Sequence, residues 1–265
     1  MFDVIDWQRP WYASVRPACL QVGPLSEAPA NLHTALNRAA AALQLRNAAG
    51  LPVRFVAQAD LPAGQAYEAF IGATGCVPTR ANLHDYFNAL VWLTFPRIKQ
   101  QLNALQAAQI AVAGVGKSRG PARDAATIFD ENCALLVVRD SAAARALVDA
   151  LRAHRWHEAF VERRAQFGAD AQLWLFGHAL MEKLVAPRKA ITAHTRVVVA
   201  DDGYFEASAA DQRAWLDAQQ AQVLADEPLS TACYTPLPVL GVPGWWPQQD
   251  ADFYHDAGVF RPARH

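Results

Sequence analysis

Three short stretches hold the polar residues whose types and spacing could do chemistry. The first, Arg80 to Asn103, reads RANLHDYFNALVWLTFPRIKQQLN. His84 and Asn88 are four residues apart, so they share one face of a helix. Asp85 sits beside them, and Lys99 and Asn103 repeat the spacing on the next helix. The segment is otherwise apolar and poor in charge. Polar groups in such surroundings are more than solubilising decoration.

The second stretch, Leu173 to Lys183, reads LWLFGHALMEK. His178 and Glu182 are again four apart. That spacing lets both reach one metal, or lets the carboxylate orient the imidazole. Gly177 within a helix is tolerated where another backbone or a ligand comes close. The third, Lys117 to Asn132, reads KSRGPARDAATIFDEN. Arg119, Arg123 and Asp124 follow a Gly-rich turn whose N–H groups, with the arginine forks, suit a phosphate or carboxylate. Asp130 and Glu131 read as hairpin-turn acids open to solvent.

Taken together, His84, Asp85, His178 and Glu182, with Asp124, form the expected catalytic set. Two imidazoles and two or three carboxylates can hold a divalent transition metal, which would activate water. The metal candidates are His84, Asp85, His178 and Glu182, with Asp130 and Glu131 as further ones. Arg80, Asn88, Lys99, Asn103, Arg119 and Arg123 would bind a small anionic substrate, phosphate-bearing in the simplest version. A metal-free version keeps the same residues and makes His84 a general base. No nucleotide-cofactor motif is present: the spacing of Gly114 and Gly116 before Lys117 fits neither a P-loop nor a dinucleotide fingerprint.

The elements that must position these groups can be read coarsely. The first thirty residues, with Trp7, Pro10, Trp11, Tyr12 and Pro17, form an ordered arm laid over a core, not a helix. Asn31 can cap a helix running to about Ala49, stopped by Gly50. Val53 to Ala57 is a short strand, and Gly64 to Thr74 a helix. Asn82 caps a helix to Phe95, where Leu83, Phe87, Leu90 and Val91 make an apolar stripe. Pro96 opens the next, to about Ala113. Thr127–Phe129 and Ala134–Val138 read as a β-hairpin. Helices are expected over 141–154, 156–167 and, capped by Asp170, 170–185. Thr195 to Ala200 is a strand. Ser208 and Asp211 form a capping box for a helix to about Ala225. From Leu229 to His265 a Pro- and Trp-rich tail wraps the body. The fold class is α+β, mainly α-helical, as one compact domain over residues 1–265 with a short hairpin or small sheet and extended terminal arms.

Composition narrows the class. The 265 residues are 52% hydrophobic and 18% charged, with a formal net charge of −1. The apolar content is enough for a sizeable core. The charge balance predicts no general nucleic-acid binding. No apolar run is long enough for a membrane span, and no leader is visible. Cys19, Cys76, Cys133 and Cys233 have no metal-type spacing and read as free thiols. A cytoplasmic location follows as the expectation. The sequence does not identify a protein partner.

The stretch GCVPTRANLHDYFNALVWLTFPRIKQQLN, then RGPARDAATIFDEN, LFGHALMEK, PLPVLGVPGWWP and FYHDAGVFRP resembles an uncharacterised bacterial family, domain of unknown function 3025. The resemblance implies a stand-alone bacterial protein and brings no activity. Its typical positions are Arg80, His84, Asp85, Asn88, Pro96, Lys99, Asn103, Arg119, Arg123, Asp124, Asp130, Glu131, His178 and Glu182. The family pattern has Gly where this chain has Cys133, which suits a positive φ in the expected hairpin turn. The dipeptide His84-Asp85, with His33 upstream, also resembles the helical metal phosphohydrolases named for that pair, though their downstream histidines are missing.

Three functions fit these residues. The first is a metal-assisted hydrolase or a related enzyme. The second is a binding protein for an anionic metabolite or acidic partner, with the tryptophan-rich arms as a recognition surface. In the third, the acids and bases are salt-bridge networks that fix helix packing.

Overall fold

The computed structural model describes residues 2–24, 31–113 and 121–263. Lys117 and Arg119 lie outside them. The elements run α1 (Arg16–Val22), α2 (Leu32–Ala42), β1 (Arg54–Val56), α3 (Tyr67–Thr74), β2 (Cys76–Pro78), α4 (Leu83–Thr94), α5 (Pro96–Ala113), α6 (Pro121–Asn132), β3 (Cys133–Arg139), α7 (Ala142–Arg152), α8 (Gln166–Ala169), β4 (Ala171–Leu175), α9 (His178–Lys183), β5 (Thr192–Ala200), α10 (Asp202–Glu206), α11 (Ala209–Asp226), β6 (Thr235–Pro238) and α12 (Ala251–Tyr254). The fold is α+β and mainly helical.

The main sheet has the order β4-β3-β5-β6. β3 pairs antiparallel with β4 and parallel with β5. Its sequence CALLVVR is apolar almost throughout, as a strand covered on both faces must be. Leu135 and Val137 point into one core cluster, Leu136 and Val138 into the other. The first cluster also takes in α4, α5 and α9 and holds the polar site at its edge. A separate parallel pair, β1 with β2, lies against α2 and α3.

Several expected caps are present. Asn82, Ser141 and Ser208 accept hydrogen bonds from the third residue on, satisfying first-turn N–H groups. The terminal arms pack down, but the N-terminal one is not wholly non-helical as expected: Pro17 sits in the first turn of α1, where its missing N–H costs nothing, and Ala18 and Val22 are buried. Trp7 meets Tyr86 and Phe87, and the Tyr12 hydroxyl donates to the Met181 carbonyl at 3.1 Å. Among the described residues no helix is long and apolar enough to cross a membrane.

Four local expectations are overturned. Thr127 to Asn132 is the end of α6, not a hairpin arm, so Asp130 is buried there rather than solvated in a turn. Phe129 and Asp130 both face inward, at helical rather than alternating spacing. Cys133 therefore opens a buried strand and has no positive φ. The segment from Asp170 to Val185 is not one helix: Ala171–Leu175 is an edge strand, and the helix begins at His178. Strand pairing with Ala134–Val138 overrides a helical reading of AQLWL. Residues 156–167 likewise form a shorter turn of wide helix, with an extended Phe167 and a positive-φ Gly168 ending it. The helix from Leu32 stops at Ala42, and Arg46 bridges Pro52 instead.

Gly177 holds this arrangement together. A Cβ there would lie 2.6 Å from the Asn132 and Cys133 nitrogens and the Glu131 oxygen. Its own N–H donates to the Cys133 carbonyl at 2.8 Å. The start of α9 thus rests directly on the α6–β3 junction. Gly177→Ala is expected to destabilise the protein by about 3 kcal/mol or more, measured by urea unfolding. A change below about 0.5 kcal/mol would show that the contact is slack.

Candidate functional site

α4, α5, α6 and α9 bring the polar residues of three sequence stretches to one place. α4 contributes His84, Asp85 and Asn88, α5 Lys99 and Asn103, α6 Asp130, and α9 His178 and Glu182. The sequence pairs predicted from i, i+4 spacing do share faces. What spacing alone does not reveal is how these faces interlock.

At the outer edge, half-exposed His84 donates from Nδ1 to Glu182 Oε2 at 2.9 Å. Its Nε2 lies 3.1 Å from His178 Nε2, with the rings close to perpendicular. Two Nε2 atoms in hydrogen-bond contact must share one proton. With His84 Nδ1–H committed to Glu182, the neutral pair carries that proton on His178 Nε2.

His178 is only 4% exposed. Its Nδ1 is buried without a well-formed hydrogen bond, 3.9 Å from Asp130 Oδ2. Burial holds the imidazole well below its ordinary range, at about 4, against the attraction of Asp130. It is neutral at pH 7.

Asp130 is the inner anchor. Its Oδ1 accepts from Lys99 Nζ at 2.5 Å. Burial would raise its carboxyl, but Lys99 and the two imidazoles hold it below the ordinary carboxylate value. Lys99 Nζ also donates to Asn88 Oδ1 at 2.9 Å, and Asn88 Nδ2 to the Tyr67 hydroxyl at 3.1 Å. Nearby, Asn103 Nδ2 donates to Glu68 Oε2 at 2.6 Å. Burial pushes the Glu68 carboxyl up.

Asp85 is committed elsewhere. Its carboxylate accepts from the Arg80 backbone N–H, Nε and Nη2 at 2.6 to 2.9 Å. Arg80 is near enough to Glu182 to feel its charge. Asp124 is exposed on α6, outside the cluster. His33 bonds the Thr79 carbonyl. Among the described residues no group of three His, Cys, Asp or Glu side chains is placed to hold a metal. The cysteines are free, and burial pushes the Cys133 thiol up to about 12.

Beyond Asp130 lies a cavity of about 380 Å³, walled by Tyr67, Glu68, Gln106, Arg123, Thr127 and Glu131 among others. Tyr67, Glu68, Gln106 and Thr127 carry no sequence signal that separates them from ordinary helix residues. Arg123 was expected as an anion contact, and it lines this space.

Residues 53–264 match the model of a family described as a protein of unknown function (DUF3025), and the chain belongs to that family. No curated protein and no solved structure matches it.

The low proton affinity of buried His178 makes stability pH-dependent. The unfolded chain takes up its proton near 6.5, the native protein only near 4. Stability is therefore full above pH 6.5 and lost as pH falls toward 4. Asp217, raised to about 6 by burial, and Glu68 act in the opposite sense, so the wild type must be compared with His178→Gln. From pH 8 to pH 5 the wild type is expected to lose roughly 2 kcal/mol relative to that variant, by urea unfolding. Parallel pH profiles would contradict a buried neutral His178.

Proposed function

We propose that this member of the DUF3025 family is a metal-free acid–base enzyme of hydrolytic type, acting on a small anionic substrate. The observation that carries the reading is the direct contact of the His84 and His178 Nε2 atoms at 3.1 Å, with Glu182 on one outer nitrogen and Asp130 near the other. A carboxylate behind each imidazole stabilises the pair once it gains a proton.

The proton movements balance. A proton released in the cavity passes by way of Asp130 to the bare Nδ1 of His178. The Nε2–H proton of His178 moves to Nε2 of His84. His84 becomes the imidazolium, held against Glu182, and His178 stays neutral with its proton on Nδ1. Bulk water then removes the charge at the surface. Reversal delivers a proton to a leaving group. In this scheme Asp130 touches the substrate, and the two histidines and Glu182 act through it. Arg123 fixes the anionic group of the substrate, and Arg80 biases the outer end through Glu182.

A structural reading applies to the inner part. Lys99 is bonded to Asn88 and Asp130, and Asn103 to Glu68, so these side chains are assigned to holding Asp130 and the helices in place.

The test is a hydrolysis screen over small phosphate and carboxylate esters with tag-free protein. Any activity found is expected to resist EDTA. It should fall about 100-fold or more in His84→Ala and His178→Ala, with melting temperatures close to wild type for His84→Ala. Stoichiometric transition metal in the purified protein, lost in both variants, would overturn the metal-free scheme in favour of a two-histidine metal site.

A further inference from the structure

The cavity beyond Asp130 has a charge pattern of its own. Three of its titratable lining groups are already engaged by neighbours. Asp130 is paired with Lys99. Glu68 is held by Asn103, and burial favours its uncharged form. Tyr67 is likewise kept in its phenol form by burial. Two charged lining groups remain. Arg123 and Glu131 make no ion pair among the described residues, and Arg123 Nη1 is buried without a partner.

Both belong to α6, a helix of 12 residues. They are eight positions apart, so about 12 Å along its axis. Arg123, Thr127, Asp130 and Glu131 follow one helical face. Arg123 stands in the first turn, where the helix dipole favours an anion, and Glu131 in the last, where it favours a cation. Guanidinium, carboxylate and dipole all point the same way.

We propose that this cavity binds a small elongated zwitterion, its carboxylate against Arg123 and its ammonium group toward Glu131. An anion alone would leave Glu131 unmatched, and an amine alone would leave the Arg123 guanidinium without a counter-charge. Thr127, midway between them on α6, and Gln106 also line the space. The inference rests on the acid–base reading only for what happens to the ligand once bound. Binding itself requires no relay.

The experiment is calorimetric titration of the full chain with 6-aminohexanoate, and with hexanoate and hexylamine as its two halves. Wild type is expected to bind the zwitterion at least tenfold more tightly than either half. Arg123→Gln and Glu131→Gln should each bring it down to the level of a half-molecule. Glu131 is exposed, so its variant reports even if Arg123→Gln unfolds. His84→Ala, outside the cavity, should bind as wild type does even if all turnover is lost. A failed relay with intact binding would therefore leave this inference standing. Absence of binding would overturn it, as would hexanoate binding as well as the zwitterion or an unaltered affinity in Glu131→Gln.

Discussion

A lysine ammonium inside a protein needs acceptors around it, because an unpaired buried charge is too costly to keep. Lys99 is 4% exposed; its ammonium donates to Asp130 and Asn88 and lies over the face of Trp92, 5.4 Å from the ring centre. These partners sit on α6 and α4, while Lys99 itself is on α5. One cation therefore ties three helices at fixed rotations. It also holds the Asp130 carboxyl below its ordinary value, against the effect of burial. The His178 ring is then placed beside that carboxylate, and His84 beside His178.

The fourth helix is set by a different constraint. α9 is short, and nothing in its own length fixes its position. The absence of a side chain at Gly177 does so, by letting its backbone sit on the α6–β3 junction. His178 follows immediately and is carried inward to Asp130. Glu182, one turn later, remains at the surface and meets His84. Buried and exposed halves of one site thus arise from two residues four apart on the same helix.

Much of this was legible in the sequence. The pairs His84/Asn88 and Lys99/Asn103 stand on the helices that periodicity, Asn82 and Pro96 predict, and His178/Glu182 share a helix shorter than the one expected from Asp170. Gly177 was expected where a backbone comes close. Asp130 was misplaced because IFDENCALLVV offers a polar interruption between two β-prone runs, which reads as a hairpin. Only tertiary packing of Phe129 and Asp130 reveals the helix end. AQLWL was misread for the converse reason: a five-residue apolar segment is a strand only if a neighbouring strand pairs with it. Asp85 looked like a metal ligand by adjacency to His84. Successive helix residues point apart, and Asp85 closes on Arg80 instead. Tyr67 and Glu68 gave no signal, since long-range contacts alone make them part of the site.

The central claim is that His84 and His178 share one proton between their Nε2 atoms. Nitrogen-15 NMR of histidine-labelled protein across pH tests it most directly. Near neutral pH, His84 is predicted to carry its proton on Nδ1 and His178 on Nε2. When the pair gains its next proton, both rings should change in one step, with the His178 proton moving to Nδ1. A neutral His178 protonated on Nδ1 at the outset, or two rings that titrate independently, would contradict the shared-proton account.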